Sequence, residues 1–246
     1  MFSKFISGYI YGLFIFLMLL ALFTAGTFTI FVWLFRGDPR WSFQLVVRFH
    51  WRLFLKLSPV IGKITIVNPH NLNSIKPAVY VASHQSSIDF VLLGSIIEDF
   101  MTISNHPISD LPIFMRIPRL VGVYYMKKGD PNAAITVFNR LSRGVQRGVN
   151  VFIFPEGTRN FSDTLLPFHK GAFRLAKDNA LPVIPVIIDG TGKIVTKGSN
   201  VAKTLERTDI RVKFLDPVYA DKEETLRSFI RRVRAVMQSE VSKCFS

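Results

Sequence analysis

From Phe5 to Phe35 the chain runs 31 residues without an Asp, Glu, Lys or Arg, in a stretch rich in Phe, Leu and Ile. About 18 such residues already nominate a membrane helix, so this part of the chain is expected in lipid. As one straight helix it would extend about 46 Å at about 1.5 Å per residue, well past a hydrocarbon core of about 30 Å. The run therefore tilts or breaks. Gly26, flanked by Ala25 and by Thr24, Thr27 and Thr29, is the natural break point. A single span and a two-segment hairpin lodged in one leaflet both satisfy the pattern. A cleaved signal peptide fits less well, because the run is about twice the usual core of about 7–15 residues and begins after a single Lys4.

Next comes WSFQLVVRFHWRLFLKL, residues 41–57. Arg48, Arg52 and Lys56 recur every four residues, which stacks them on one helix face, while Trp41, Leu45, Phe49, Trp51 and Leu55 cover much of the rest. The pattern predicts a helix in the membrane interface, with aromatics at headgroup level and cations on lipid phosphates. A core helix with one solvated charged face is the rival reading. Residues 1–60 are thus expected as membrane-associated helices and residues 61–246 as the second unit. Basic residues after the apolar run outnumber lone Lys4 before it, which places that second unit on the cytoplasmic side of a cytoplasmic or equivalent membrane.

In the second unit short apolar runs alternate with helical patterns. KITIV (63–67), AVYVA (78–82), FMTIS (100–104), VGVYYM (121–126), NVFIF (150–154), VIPVII (183–188) and IRVKFL (210–215) read as strands, several without polar alternation, as in sheets covered on both faces. Helices are expected near 87–97, 132–148, 169–179 and 222–243, and 190–208 is expected as a surface excursion. The alternation predicts an α/β fold with a mostly parallel sheet of about seven strands flanked by helices. In such sheets ligands gather beyond the carboxyl ends of strands. Two polar clusters sit there: SHQSSID (83–89) after AVYVA, and the stretch after NVFI that reads FPEGTR (154–159).

His84 and Asp89 are five residues apart, about 140° around a helix, so they cannot share a helix face. They can meet if His84 lies in the loop leaving the strand and Asp89 in the first turn of the next helix, with Ser86 or Ser87 as its N-cap. The carboxylate would then fix the imidazole tautomer and leave the other ring nitrogen as general base for a substrate hydroxyl. The spacing alone is weak, and a capping role for Asp89 explains it equally well. In the second cluster Glu156 and Arg159 could form no more than a local ion pair. Arg, however, suits bidentate capture of phosphate, and Gly157 lets backbone N–H groups approach an anion. Lys170, Arg174 and Lys177 follow at helical spacing.

With 31 Lys and Arg against 17 acidic residues, the formal net charge of +14 requires anionic partners: lipid surface, phosphorylated small molecules or nucleic acid. One cysteine, Cys244, excludes an internal disulfide and a thiolate metal cluster, and the five His show no zinc-ligand spacing, so no metal is expected.

SHQSSID, followed about 70 residues later by FPEGTR and then by VIPVII, resembles the 1-acylglycerol-3-phosphate acyltransferase family within the phospholipid/glycerol acyltransferases. A given hexapeptide arises by chance in roughly one in 10⁵ to 10⁶ chains of this length, so the FPEGTR match is specific. The resemblance covers residues from about 60 to 215. It implies His84 as base, Asp89 as its orienter, and Glu156, Gly157, Thr158 and Arg159 as the acceptor-binding turn, with Lys128 and Lys170 as further substrate cations and Pro185 in a fourth block. It implies transfer of a fatty acyl group from an acyl thioester, of coenzyme A or of acyl carrier protein, to a lysophospholipid, foremost 1-acylglycerol 3-phosphate, with no cofactor.

Three positions depart from the family pattern. Ser83 replaces the usual Asn, Lys128 replaces an Arg that ends the second block, and Asn105 stands where a Lys is common. Another lysolipid acceptor therefore stays open. A hydrolase would lack its G-x-S-x-G elbow. A membrane-tethered nucleic-acid binder would explain the charge but leave His84 and FPEGTR idle, and no nucleic acid is expected as partner.

Overall fold

The computed structural model describes residues 2–34, 39–72, 74–105, 118–127, 129–195 and 206–245. Its strands are β1 (Ile61–Val67), β2 (Val79–Ala82), β3 (Phe100–Ser104), β4 (Val123–Tyr125), β5 (Asn150–Ile153), β6 (Val183–Asp189) and β7 (Thr208–Phe214). Its helices are α1 (Phe2–Leu34), α2 (Pro39–Leu57), α3 (Ile88–Ile96), α4 (Pro131–Val145), α5 (Gly171–Asp178), α6 (Thr191–Ile194) and α7 (Leu226–Phe245). The seven strands form one sheet in the order β1-β7-β6-β2-β5-β3-β4. All neighbours are parallel except β6 and β7, so β1 and β7 run against the other five. The expected α/β architecture is borne out, strand for strand.

Alternation along the buried strands divides the interior into two cores. Tyr80, Ala82, Phe152, Ile184 and Val186 face α1, α2 and α3, while Val79, Val81, Val151, Ile153 and Ile187 face α4, α5 and α7. Both faces of the central strands are dry, which is why those strands read as unbroken apolar runs. From β2 the chain moves out to β3 on one side, and from β5 it crosses to β6 on the other. The carboxyl ends of β2 and β5 therefore border the crevice where the connections diverge.

Of the two readings left open for the apolar run, the continuous one holds: α1 passes through Gly26 without a break, about 50 Å long at about 1.5 Å per residue. Thr24 and Thr27 turn their hydroxyls back onto the carbonyls of Leu20 (2.7 Å) and Thr24 (2.9 Å), so these polar groups are satisfied within the helix and need no loop. Phe5–Phe28 is long and apolar enough to cross a bilayer. Leu17, Ala21 and Ala25, four apart, are buried in the core on the side where α1 packs against α2, and Phe14 meets Phe54 edge-on at 5.1 Å.

On α2 the cation stripe is corrected. Arg48 is buried, donating to the Ile96 carbonyl (3.4 Å) and reaching Glu98 (3.5 Å), and Arg52 Nε donates to the Ser95 carbonyl (2.9 Å). The carbonyls ending α3 have no partners within their own helix, and cations there also oppose the negative end of its dipole. What α2 turns outward instead is Trp41, Leu45 and Phe49, together with Lys56 and the rest of Arg52.

Candidate active site

β2 ends at Ala82, and the next residues leave the sheet. Ser83 is held at the strand end: its N–H donates to the Val186 carbonyl (3.0 Å) and its Oγ accepts from Ile188 N–H (2.9 Å). That fixes where His84 begins. Asp89, fully buried in the first turn of α3, reaches back, and its Oδ2 accepts from His84 Nδ1 (2.9 Å), Gln85 N–H (2.7 Å) and Ser86 N–H (2.8 Å). Of the two serines expected to cap α3, Ser87 occupies the N-cap without a side-chain bond, while Ser86 Oγ accepts from Ile88 N–H at the first helical position (3.5 Å). Asp89 thus does both jobs that the sequence left as alternatives.

The other oxygen of Asp89 accepts from the hydroxyl of Thr191, also fully buried, at the start of α6. The Gln85 side-chain oxygen accepts from Gly192 N–H beside it (3.3 Å). These contacts correct the reading of 190–208 as a surface excursion. Its first turn, entered through Gly190 at φ +97°, is packed under the loop that carries His84, while 196–205 lie outside the described residues. With three donors on it besides the imidazole, the Asp89 carboxylate presents an acceptor to His84, and the tautomer that fits it carries the proton on Nδ1 and leaves Nε2 free. The ring lies flat on Phe154, centroids 4.0 Å apart and planes at 17°, and is partly open to solvent.

Phe154 brings in the second cluster. β2 and β5 are parallel neighbours in the register Val81↔Ile153, so the turn after β5 lies beside the loop after β2. Asn160 N–H donates to the His84 carbonyl (2.6 Å), tying the two together. Gly157 sits at φ +64°, where a Cβ would be 2.9 Å from the His169 ring, so this position requires glycine. Its carbonyl accepts from Asn105 at the end of β3 (3.4 Å), so a residue marked as a departure from the family pattern touches the turn.

Glu156 is buried and faces inward. One carboxylate oxygen accepts from Asn160 Nδ2 and Leu166 N–H, both at 2.9 Å, while the other is buried without a partner. Burial raises its carboxyl above the usual carboxylate range, against the opposing pull of the Leu166 and Asn160 hydrogen bonds. The local ion pair with Arg159, the rival reading of this stretch, does not form among the described residues. Arg159 is half-buried and, like Thr158, makes no hydrogen bond or ion pair among the described residues.

His169 N–H donates to the Pro155 carbonyl (2.8 Å), which seats exposed Lys170 and the start of α5 next to the turn. The other two cations of that row are engaged elsewhere: Arg174 pairs with Asp178 (3.5 Å), and Lys177 donates to the Glu224 carbonyl just before α7. Pro185 lies within β6, opposite Val81. Lys128 lies outside the described residues. Sequence reasoning missed Thr191 and Gln85. The one signal for them was the GTG turn leaving a buried strand at the same sheet edge as His84.

The geometry is that of a base held on one edge by a carboxylate and on one face by an aromatic ring, beside a glycine turn with an unpaired arginine. A family model described as Acyltransferase matches residues 63–189, just over half of the chain and inclusive of both clusters. The chain is 37% identical over 154 residues to 1-acyl-sn-glycerol-3-phosphate acyltransferase BAT2, chloroplastic, of Brassica napus, covering 63% of this chain and 44% of that protein. It is 26% identical over 196 residues to the 1-acyl-sn-glycerol-3-phosphate acyltransferase of Salmonella typhimurium, covering 78% of each. The match spans less than half the length of the two chloroplast relatives, from Brassica napus and Arabidopsis thaliana, 44% and 46%. Among solved structures, that of the 1-acyl-sn-glycerophosphate (LPA) acyltransferase PlsC from Thermotoga maritima shares the fold, with a TM-score of 0.78 over 99% of this chain and 96% of that one at 19% identity.

Proposed function

The chain belongs to the Acyltransferase family, and from that premise we propose that it transfers a fatty acyl group from an acyl thioester to the free hydroxyl of 1-acylglycerol 3-phosphate, giving phosphatidic acid in phospholipid synthesis. The observation that carries this reading is the His84–Asp89 pair at 2.9 Å, placed beside the Phe154–Arg159 turn by adjacent strand ends. His84 Nε2 takes the proton of the acceptor hydroxyl as its oxygen attacks the thioester carbonyl. The C–O bond forms, the C–S bond breaks, and the imidazolium returns its proton to the departing thiolate. Asp89 stabilises the transient imidazolium, and Phe154 offers it a ring face. Arg159, with Lys170 and the backbone around Gly157, binds the acceptor phosphate, and Lys128 is proposed as a further cation of the same subsite. Glu156 braces the turn through Asn160 and Leu166.

The decisive experiment offers purified protein a panel of lysolipids with both acyl-coenzyme A and acyl-carrier-protein donors and reads the products by mass spectrometry. Phosphatidic acid from either donor supports the reading, and no acylated product from any lysolipid sinks it. Another lysolipid as the preferred acceptor is the second reading, favoured by Asn105 standing against the turn where a lysine would add charge. Arg159→Ala should raise the acceptor KM about 10- to 150-fold, the equivalent of losing a hydrogen bond to a charged group of about 1.5–3 kcal/mol. Arg159→Lys should recover only part, having charge without the planar fork. Unchanged KM in both variants would leave the turn without a role in phosphate binding.

The helices of residues 1–60 are proposed to hold the domain of 61–246 on the cytoplasmic face of the membrane. Phe5 is 83% exposed, Phe23 71%, and Phe49 on α2 62%, a surface suited to hydrocarbon rather than water. Full-length protein should float with neutral vesicles even in high salt, because apolar insertion is not screened. Release by salt would mean that attachment is electrostatic.

A further inference from the structure

Away from His84, a groove of about 480 Å³ opens between α2, α3 and the edge strand β1, within the size range of ligand pockets. It exists because β1 ends the sheet and the helical layer stops short of it. Ile64 and Ile66, two apart and so on one face of β1, stay partly exposed, and Leu72 and Leu92 continue the apolar lining. Arg52 and Lys56, one helical turn apart on α2, line the same groove, and no acidic residue does. Arg52 is pre-set: its Nε donates to the Ser95 carbonyl (2.9 Å), while its two terminal nitrogens and the Lys56 ammonium have no partner among the described residues. An apolar trough with two uncompensated cations is complementary to an anionic amphiphile, and α2 carries it on the same helix that exposes Trp41 and Phe49.

We propose that this groove binds one anionic phospholipid drawn from the bilayer, its phosphate on Arg52 and Lys56 and an acyl chain along Ile64, Ile66 and Leu72. The groove shares no residue with the His84 and Arg159 clusters. The inference rests on the membrane reading of α1 and α2 and is independent of the transfer reaction.

The test uses the full chain in neutral detergent with phosphatidylglycerol carrying a photoactivatable group on one acyl chain, a lipid whose backbone glycerol is fully acylated, unlike that of a lysophospholipid acceptor. Adducts mapped by peptide mass spectrometry should fall on the segment holding Ile64–Leu72. Arg52→Glu combined with Lys56→Glu should cut them at least tenfold. Ile66→Trp, at a site on the groove wall that already meets solvent, should do the same by filling the groove with the charges intact. Unlabelled phosphatidylglycerol should compete and phosphatidylcholine should not. Labelling confined to α1 or to the FPEGTR segment, labelling unmoved by either variant, or equal competition by phosphatidylcholine would each overturn the proposal.

Discussion

His84→Ala is expected to lower kcat by about 10² to 10⁴ while leaving lysolipid binding nearly intact, because the variant removes the base and none of the groups proposed to hold the phosphate. The fold should survive it. The ring is partly open to solvent, its stacking partner Phe154 is anchored by β5, and the Asp89 oxygen that loses Nδ1 keeps two backbone N–H donors. Rates and acceptor affinity are best measured separately, by single-turnover product formation and by equilibrium binding. A kcat within a few-fold of the parent would remove His84 from the chemistry.

Asp89 is expected to separate charge from architecture. In Asp89→Asn the amide oxygen can keep the three donors on the loop side, from His84, Gln85 and Ser86, while the amide nitrogen turns to Thr191, whose hydroxyl can switch from donor to acceptor. The loop should therefore hold its shape and Tm should move little. What disappears is the negative charge facing the imidazolium, and kcat should fall by about 10² to 10⁴ with acceptor KM unchanged. Asp89→Ala leaves three donors on the loop side without their acceptor, at about 1–3 kcal/mol for each buried group, and should lower Tm by roughly 6 °C or more. Near-parental turnover in the Asn variant would mean the carboxylate is only a cap.

The seven strands were legible for two reasons: β2, β5 and β6 are apolar runs buried on both faces and ended by turns, while β1 and β7 near the edge keep an alternation of buried and exposed residues. The pairing of His84 with Asp89 was legible as a possibility, since it needs only a loop and a first helical turn. Its completion was not, because the Thr191 hydroxyl comes from 102 residues further along the chain and only the β2–β6 adjacency brings it there. Cation rows misled for a related reason. Helical spacing correctly placed Arg48 and Arg52, and Arg174 and Lys177, on shared faces, but periodicity is silent on what a face meets. Arg48 and Arg52 met the carbonyl end of α3, Lys177 met the approach to α7, and Arg174 paired with Asp178 on its own helix. Gly26 left a break and a continuous helix equally open, and what decides for the helix is that the neighbouring threonine hydroxyls turn back onto helix carbonyls, which periodicity does not show.

Gln44 of α2 is almost wholly buried, and its amide donates to the Phe100 and Val121 carbonyls, both at 2.8 Å, bridging the approaches to β3 and β4. Trp51, two turns on, enters a slot that Gly94 keeps open and stacks against Phe100. With Phe43, Val47, Phe54 and Leu55 also buried, α2 is a wall of the catalytic body. Each such side chain contributes about 1.5–3 kcal/mol by burial, against a typical total stability of about 5–15 kcal/mol, so the body cannot stand once that wall is cut away. The proposed attachment to lipid is accordingly no mooring line that could be spliced onto a foreign anchor or clipped to liberate a working soluble half. An active, soluble fragment beginning at residue 61 would show otherwise. Hull and engine are one casting, and whatever would tilt α1 and α2 would tilt His84 with them.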